Sequence, residues 1–215
     1  AKNNGLMNPY LKDVCIGTSA APTYLPPYYF KTENKSSGSS RCFHLIDGGI
    51  AANNPTLLAM NHVTHKWFEE IPDSINTRSQ ELGQLLVLSL GTGQEASGEA
   101  YYDAKVAAQW GGLGWIQNKG RSPLVDVFMN ASADMVDIYI ATMFTSPSFT
   151  QNYLRIQEAN LSRDASSADN SRRENLENLV KIGKKLLDKP MSRVNIVTGK
   201  FVELLNEGTN KDALT

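Results

Sequence analysis

Cysteine is scarce: Cys15 and Cys42 are the two in 215 residues, each inside a short apolar run, "DVCIG" and "RCFHLI". No Cys-x-x-Cys pair or Cys/His cluster is present, which removes a structural zinc site. The two thiols are expected to be buried and unpaired rather than joined in a disulfide. An excess of one charge is also lacking. The net charge is −1 and the basic residues gather on no single stretch, so a dedicated nucleic-acid surface is excluded. No apolar run approaches the length of a membrane span. The opening residues, "AKNNGLMNPYLKDVCIG", show no initiator methionine and no charged-then-apolar leader, and are expected to start partway through a longer protein.

What is present is ordinary globular material, with 41% hydrophobic and 20% charged residues, enough for one domain over 1–215 with a sizeable core. Residues 13–17 read as the approach to a turn, with Thr18 or Ser19 able to cap one helical turn before Pro26 and Pro27 enforce extended backbone. A polar loop at 31–40 leads into a buried strand at 41–46. Asn54 then caps a helix with Pro55 at its first position and Ala59, Val63 and Trp67 on its core face. A loop follows at 69–83. The unbroken apolar run "QLLVLSLGTGQ" (84–94) predicts a strand buried on both faces.

"WGGLGWIQNKG" (110–120) is too glycine-rich for a regular helix and predicts a kink or a mobile loop. From Ser122 a helix is expected with Leu124, Phe128, Ala131, Met135, Ile138 and Thr142 inward. A strand at 152–158 comes next, then a polar loop. A helix carrying Leu176, Leu179, Val180, Gly183, Leu186 and Leu187 stops at Pro190, and a last helix is expected around Phe201–Leu205. Strands alternating with long helices indicate α/β, with helices on both faces of the sheet. About three good strands are few for such a fold, so the sheet is expected to be incomplete in this chain.

One acid stands out. In "HLIDGGIAANNPTLLAM", Asp47 closes the strand and is followed by Gly48 and Gly49, which have no side chains to shield it and let backbone or substrate approach. In open α/β sheets chemistry gathers at the carboxyl ends of strands. A carboxylate there can serve as a general base, a metal ligand or a turn-former, and Asp-Gly is itself a common turn pair.

Four blocks, "CIGTSAAPTYLPPYYF", "FHLIDGGIAANNPTLLA", "LLVLSLGTG" and "NYLRIQE", resemble in order and spacing the plant patatins and patatin-like lipid acyl hydrolases. The resemblance implies a three-layer α/β/α fold with a mainly parallel central sheet, of which this chain is the C-terminal part. It implies a Ser–Asp dyad in which Asp47 is the acid, and no cofactor or metal. Its substrates would be phospholipids, galactolipids and related esters, with transient contact at a membrane surface. Tyr24, Leu25, Pro26, Tyr28 and Tyr29 are candidates for gripping an acyl chain, or for closing the core under the first loop.

The serine elbow Gly-x-Ser-x-Gly of such enzymes is missing from these residues, as is the glycine-rich oxyanion loop. The nearest look-alike is "GTSAA" around Ser19, where Pro22, Pro26 and Pro27 leave no room for the helix an elbow needs. The expected partner is therefore an N-terminal segment of the same protein carrying that elbow. His44, His62 and His65 are expected to lie in the core or on the surface rather than to complete a triad. A storage or defence protein keeping the fold without catalysis is the second reading. A metal or phosphate module using Asp47 and Gly91–Gly93 is the third. Sequons at Asn34 and Asn160 fall in expected loops, while the one at Asn130 falls on a helix. The resemblance places the protein in a plant vacuole or the cytoplasm.

Overall fold

The computed structural model describes residues 5–70, 85–95, 103–144 and 151–215. Along them run α1 (Leu11–Thr18), β1 (Tyr28–Glu33), β2 (Ser40–Leu45), α2 (Gly49–Ala52), α3 (Thr56–Glu70), β3 (Val87–Leu90), α4 (Ala104–Ala107) and α5 (Gly112–Ile116). Then come α6 (Pro123–Met143), β4 (Tyr153–Ile156), α7 (Arg163–Ser166), α8 (Arg173–Leu187), β5 (Ser192–Val194) and β6 (Phe201–Glu203). Among the described residues the strands form an antiparallel pair β1–β2, a parallel pair β3–β4 and an antiparallel pair β5–β6. Helices alternating with strands around a parallel pair make the fold α/β. The chain divides into two compact units, Ala1–Asn53 with Gly111–Ser132, and Asn54–Trp110 with Ala133–Thr215.

In the first unit, the segment expected to approach a turn is instead helix α1. Asp13 lies in its first turn, where the helix dipole favours an acid, and it is buried, accepting a 2.7 Å hydrogen bond from the Tyr28 hydroxyl. Gly17 allows the helix to meet strand β2, since a β-carbon there would stand 2.7 Å from Leu45 Cδ1. Because Asp13 and Gly17 face inward, Leu11, Val14 and Ile16 face solvent. Cys15 is exposed with them, and Cys42 is exposed on β2; both are free thiols rather than buried ones.

Strands β1 and β2 pair from Tyr28↔Leu45 to Glu33↔Ser40, with Phe30 stacked on Phe43 at 4.6 Å. The loop between them is tied by Asn34, whose side-chain oxygen accepts from the amides of Ser36 and Ser37, while Gly38 takes φ +68°. A two-stranded ribbon covers one face at most, so β2 is largely exposed rather than buried. The glycine-rich stretch at 110–120 holds the single helical turn α5. A tight turn at Asn118–Arg121 follows it, with Lys119 and Gly120 both at positive φ.

The second unit packs α3 and the later part of α6 on one face of the parallel pair, which runs in register from Val87↔Tyr153 to Leu90↔Ile156. Met60, Ile140 and Phe144 form its core, with Leu57, Leu85, Val87, Val136 and Tyr153 packed around them. Asn54 caps α3 as expected, its side-chain oxygen accepting from the Thr56 amide at 3.2 Å. The inward face is Thr56 and Met60, however, not Ala59 and Val63, because the ties of Asn54 and Thr56 described below fix the rotation of the helix. The Trp67 side chain and residues 71–83 of the expected loop lie outside the described residues.

Helix α6 corrects a second phase. Ala133, Asp137 and Ile140 are buried, while Leu124, Phe128, Ala131, Met135 and Thr142 face outward. The helix is apolar on both sides, so periodicity alone had no way to choose between them. Strand β3 is likewise covered on one face: Ser89 is buried, but Leu88 is 50% and Leu90 66% exposed. Leu176 and Val180 of α8 also face solvent. The expected last helix is strand β6. "NIVTGK" forms a turn in which Asn195 accepts from the amides of Val197 and Thr198 and Gly199 adopts φ +66°, and this folds Phe201 back opposite Val194.

Candidate functional site

Asp47 lies two residues beyond the end of β2 and two before the start of α2. Its backbone N–H donates to Ala20 O at 2.9 Å, which ties this corner to the buried alanine just after α1. Its carboxylate is half-buried, and Oδ1 accepts from the Gly49 amide at 2.6 Å. Among the described residues Oδ2 accepts no hydrogen bond and no cation pairs with the carboxylate. One oxygen is thus pinned and the other left available to a donor that the described residues do not supply.

The two glycines differ. Gly48 sits in ordinary right-handed helical backbone at φ −64°, with nothing near the position of a β-carbon. At Gly49 a β-carbon would stand 3.1 Å from Asp47 Oδ1 and 3.2 Å from Met129 Cε. Asn53 completes the cluster, donating from Nδ2 to Met129 O at 3.4 Å. The apolar end of Met129 therefore lies against the glycine that holds the carboxylate.

Ser19 sits at the C-terminal end of α1, its hydroxyl donating to Cys15 O at 2.8 Å and to Ile16 O at 3.2 Å. An elbow serine stands between a strand and a helix N-terminus, so this is the opposite arrangement. His44 is exposed with its ring 4.9 Å from that of Tyr29, and His62 and His65 are exposed on α3. Tyr24, Leu25, Pro26 and Tyr29 are exposed, whereas Tyr28 is half-buried and bound to Asp13. Next to this segment Thr23 takes φ +74°, unfavourable for a β-branched residue.

Among the described residues no group of three or more His, Cys, Asp or Glu side chains is suited to hold a metal ion. Gly91 and Gly93 have steric reasons to be glycine. A β-carbon on Gly91 would run into the Gln157 side chain, and one on Gly93, at φ +89°, into Leu161.

A buried polar network in the second unit escaped sequence reasoning. Asp137 accepts from Asn54 Nδ2 at 2.8 Å, Asn54 Oδ1 accepts from the Thr56 hydroxyl at 2.7 Å, and that hydroxyl also meets Ser89 Oγ at 2.7 Å. Arg155 donates to Ser89 Oγ at 3.1 Å and pairs with Asp137, Nε to Oδ1 at 3.3 Å. Burial pushes the Asp137 carboxyl above its ordinary value, with Arg155 and Asn54 opposing. Burial likewise raises the Tyr153 hydroxyl to about 12. The available signal was one polar residue inside each apolar element: Ser89 in "VLSL", Arg155 in "YLRI" and Asp137 between Val136 and Ile138.

No protein-family model matches the chain. It is 46% identical over 215 residues to patatin-like protein 1 of Oryza sativa subsp. indica, covering 100% of this chain and 52% of that protein. To patatin-like protein 2 of Arabidopsis thaliana it is 44% identical over 213 residues, 99% of this chain and 52% of the relative. A Solanum tuberosum protein named probable inactive patatin-3-Kuras 1 is 38% identical over 200 residues, 91% of this chain and 52% of that protein. The chain spans about half the length of the curated relatives it matches.

Proposed function

The chain belongs to the patatin-like proteins, and from that premise we propose that it carries the acidic half of a lipid acyl hydrolase. Asp47 is the general base of a Ser–Asp dyad, and the serine and its oxyanion amides come from a part of the protein outside these 215 residues. Asp47 Oδ2 takes the hydroxyl proton as the serine oxygen attacks the acyl carbonyl carbon. The same proton passes to the departing alcohol; a water molecule, deprotonated by Asp47 in turn, attacks the acyl-serine and frees the acyl group as a carboxylic acid, and the proton on Asp47 returns to the serine oxygen. Exposed Tyr24, Leu25, Pro26 and Tyr29 would meet the acyl chains or the lipid surface.

The observation that carries this reading is the carboxylate itself, with Oδ1 pinned by the Gly49 amide and Oδ2 unengaged among the described residues. A turn-forming aspartate needs the first of these features and not the second. Support for an outside segment comes from the apolar faces left open, Leu88 and Leu90 on a parallel strand and Leu124 and Phe128 on α6. Parallel strands are normally covered on both faces.

The name of the potato relative favours a second reading, a family member that keeps the fold without catalysis. A fluorophosphonate probe on the intact protein separates the two. The expected result is one labelled serine outside these residues, with labelling slowed in Asp47→Asn. Labelling of Ser19, or none, would overturn the proposal.

A further inference from the structure

The second unit contains a cavity of about 380 Å³, within the range of small-molecule sites. Phe144, Tyr153, Val194, Ile196 and Phe201 supply apolar wall, with Ala141 of α6 among them. Arg155 also lines it and is only 6% exposed. A guanidinium has five N–H donors. Two are engaged here, one by Ser89 Oγ at 3.1 Å and one by Asp137 Oδ2 at a long 3.5 Å. Nε lies 3.3 Å from Asp137 Oδ1 but is not aligned as a hydrogen bond. A buried cation with donors to spare, set in apolar walls, asks for an acceptor that brings an apolar body with it. A second guanidinium, Arg193, lines the same cavity and pairs with Glu207 at 3.3 Å. Asp137 lines the cavity too, its charge matched by Arg155, so the lining holds two guanidiniums against one carboxylate and is not hostile to an anion.

We propose that this cavity binds a single-chain fatty carboxylate, the head accepting from Arg155 and the tail lying along Phe144, Tyr153 and the β5–β6 hairpin. Asp47 is not among the lining residues, so the inference stands whether or not that residue acts as a base. Planar N–H pairs suit a carboxylate in a way that they do not suit an alcohol.

The test is calorimetric titration of the intact protein with sodium decanoate below its micellar concentration, with decanol as the neutral control. Saturable binding is expected for decanoate, about tenfold or more weaker for decanol. Ala141→Phe, which fills the cavity, should abolish it. Arg155→Lys keeps the charge beside Asp137 but loses the fork, and should weaken it about tenfold, while Asp47→Asn leaves it unchanged. Should circular dichroism show Ala141→Phe unfolded, Arg155→Lys decides alone. Absence of saturable binding, decanol binding as tightly as decanoate, or undiminished affinity in folded Arg155→Lys would overturn the proposal.

Discussion

Replacing Gly49 and Gly48 in turn by alanine separates two reasons for the glycine pair after Asp47. A β-carbon at Gly49 would stand 3.1 Å from Asp47 Oδ1, roughly 0.3 Å inside a usual carbon–oxygen contact. The other neighbour, Met129 Cε at 3.2 Å, is the end of a flexible chain and can swing aside. The carboxylate cannot do so freely, because its 2.6 Å hydrogen bond runs to the amide of that same residue 49. It must shift by a few tenths of an ångström. Since misplacement by about 1 Å can cost about 100-fold, Gly49→Ala is expected to lower kcat on the order of fivefold. Gly48 has ordinary helical backbone and open space. Gly48→Ala should leave kcat unchanged and stabilise the fold by about 0.5 kcal/mol, because alanine restricts the unfolded chain. Steady-state hydrolysis of a p-nitrophenyl acyl ester by the intact protein, with thermal melts of each variant, reads both effects. Equal loss in the two variants would refute this reasoning and assign the glycines to close substrate approach instead.

Asp137→Asn tests the buried network through pH. Burial holds the native carboxyl above its unfolded value, so the native state binds its proton more tightly. That contribution to stability is complete below the unfolded value and is lost as pH rises through the raised native one. Urea midpoints should therefore show wild type losing ground to Asp137→Asn as pH climbs across that interval; parallel pH curves would contradict it. Gly93→Ala must accept a β-carbon at φ +89° against Leu161 and should destabilise by about 2–4 kcal/mol in urea unfolding. Thr23→Asn relieves a β-branched residue at φ +74° and should raise stability by about 0.5–1 kcal/mol, seen as a higher melting temperature.

The elements the sequence made legible are those marked by local chemistry. Asn54 and Pro55 announce α3, the apolar runs around Leu88 and Leu154 announce the parallel pair, and Pro190 follows the end of α8. Asp47 was legible because an acid followed by two glycines is conspicuous at a strand end. Three features depended on information that a periodicity does not hold. Helix α6 is apolar on two sides, and only Asp137, drawn inward by Arg155 and Asn54, sets which side is buried. Helix α3 is turned by the Thr56 hydroxyl reaching Ser89, a contact across 33 residues. Strand β6 reads as the start of a helix until the Asn195 turn supplies its partner. Burial of β3 on both faces presumed a second covering layer, and Leu88 and Leu90 face solvent among the described residues.

The central claim, that Asp47 takes the proton of a serine, is met most directly by Asp47→Asn in the intact protein. Asparagine keeps an oxygen for the Gly49 amide and the shape of the turn, and removes only the ability to accept a proton. The account predicts kcat/KM on an acyl ester lower by about 100-fold or more, with an unchanged melting temperature. Hydrolysis by the variant at the wild-type rate would contradict it.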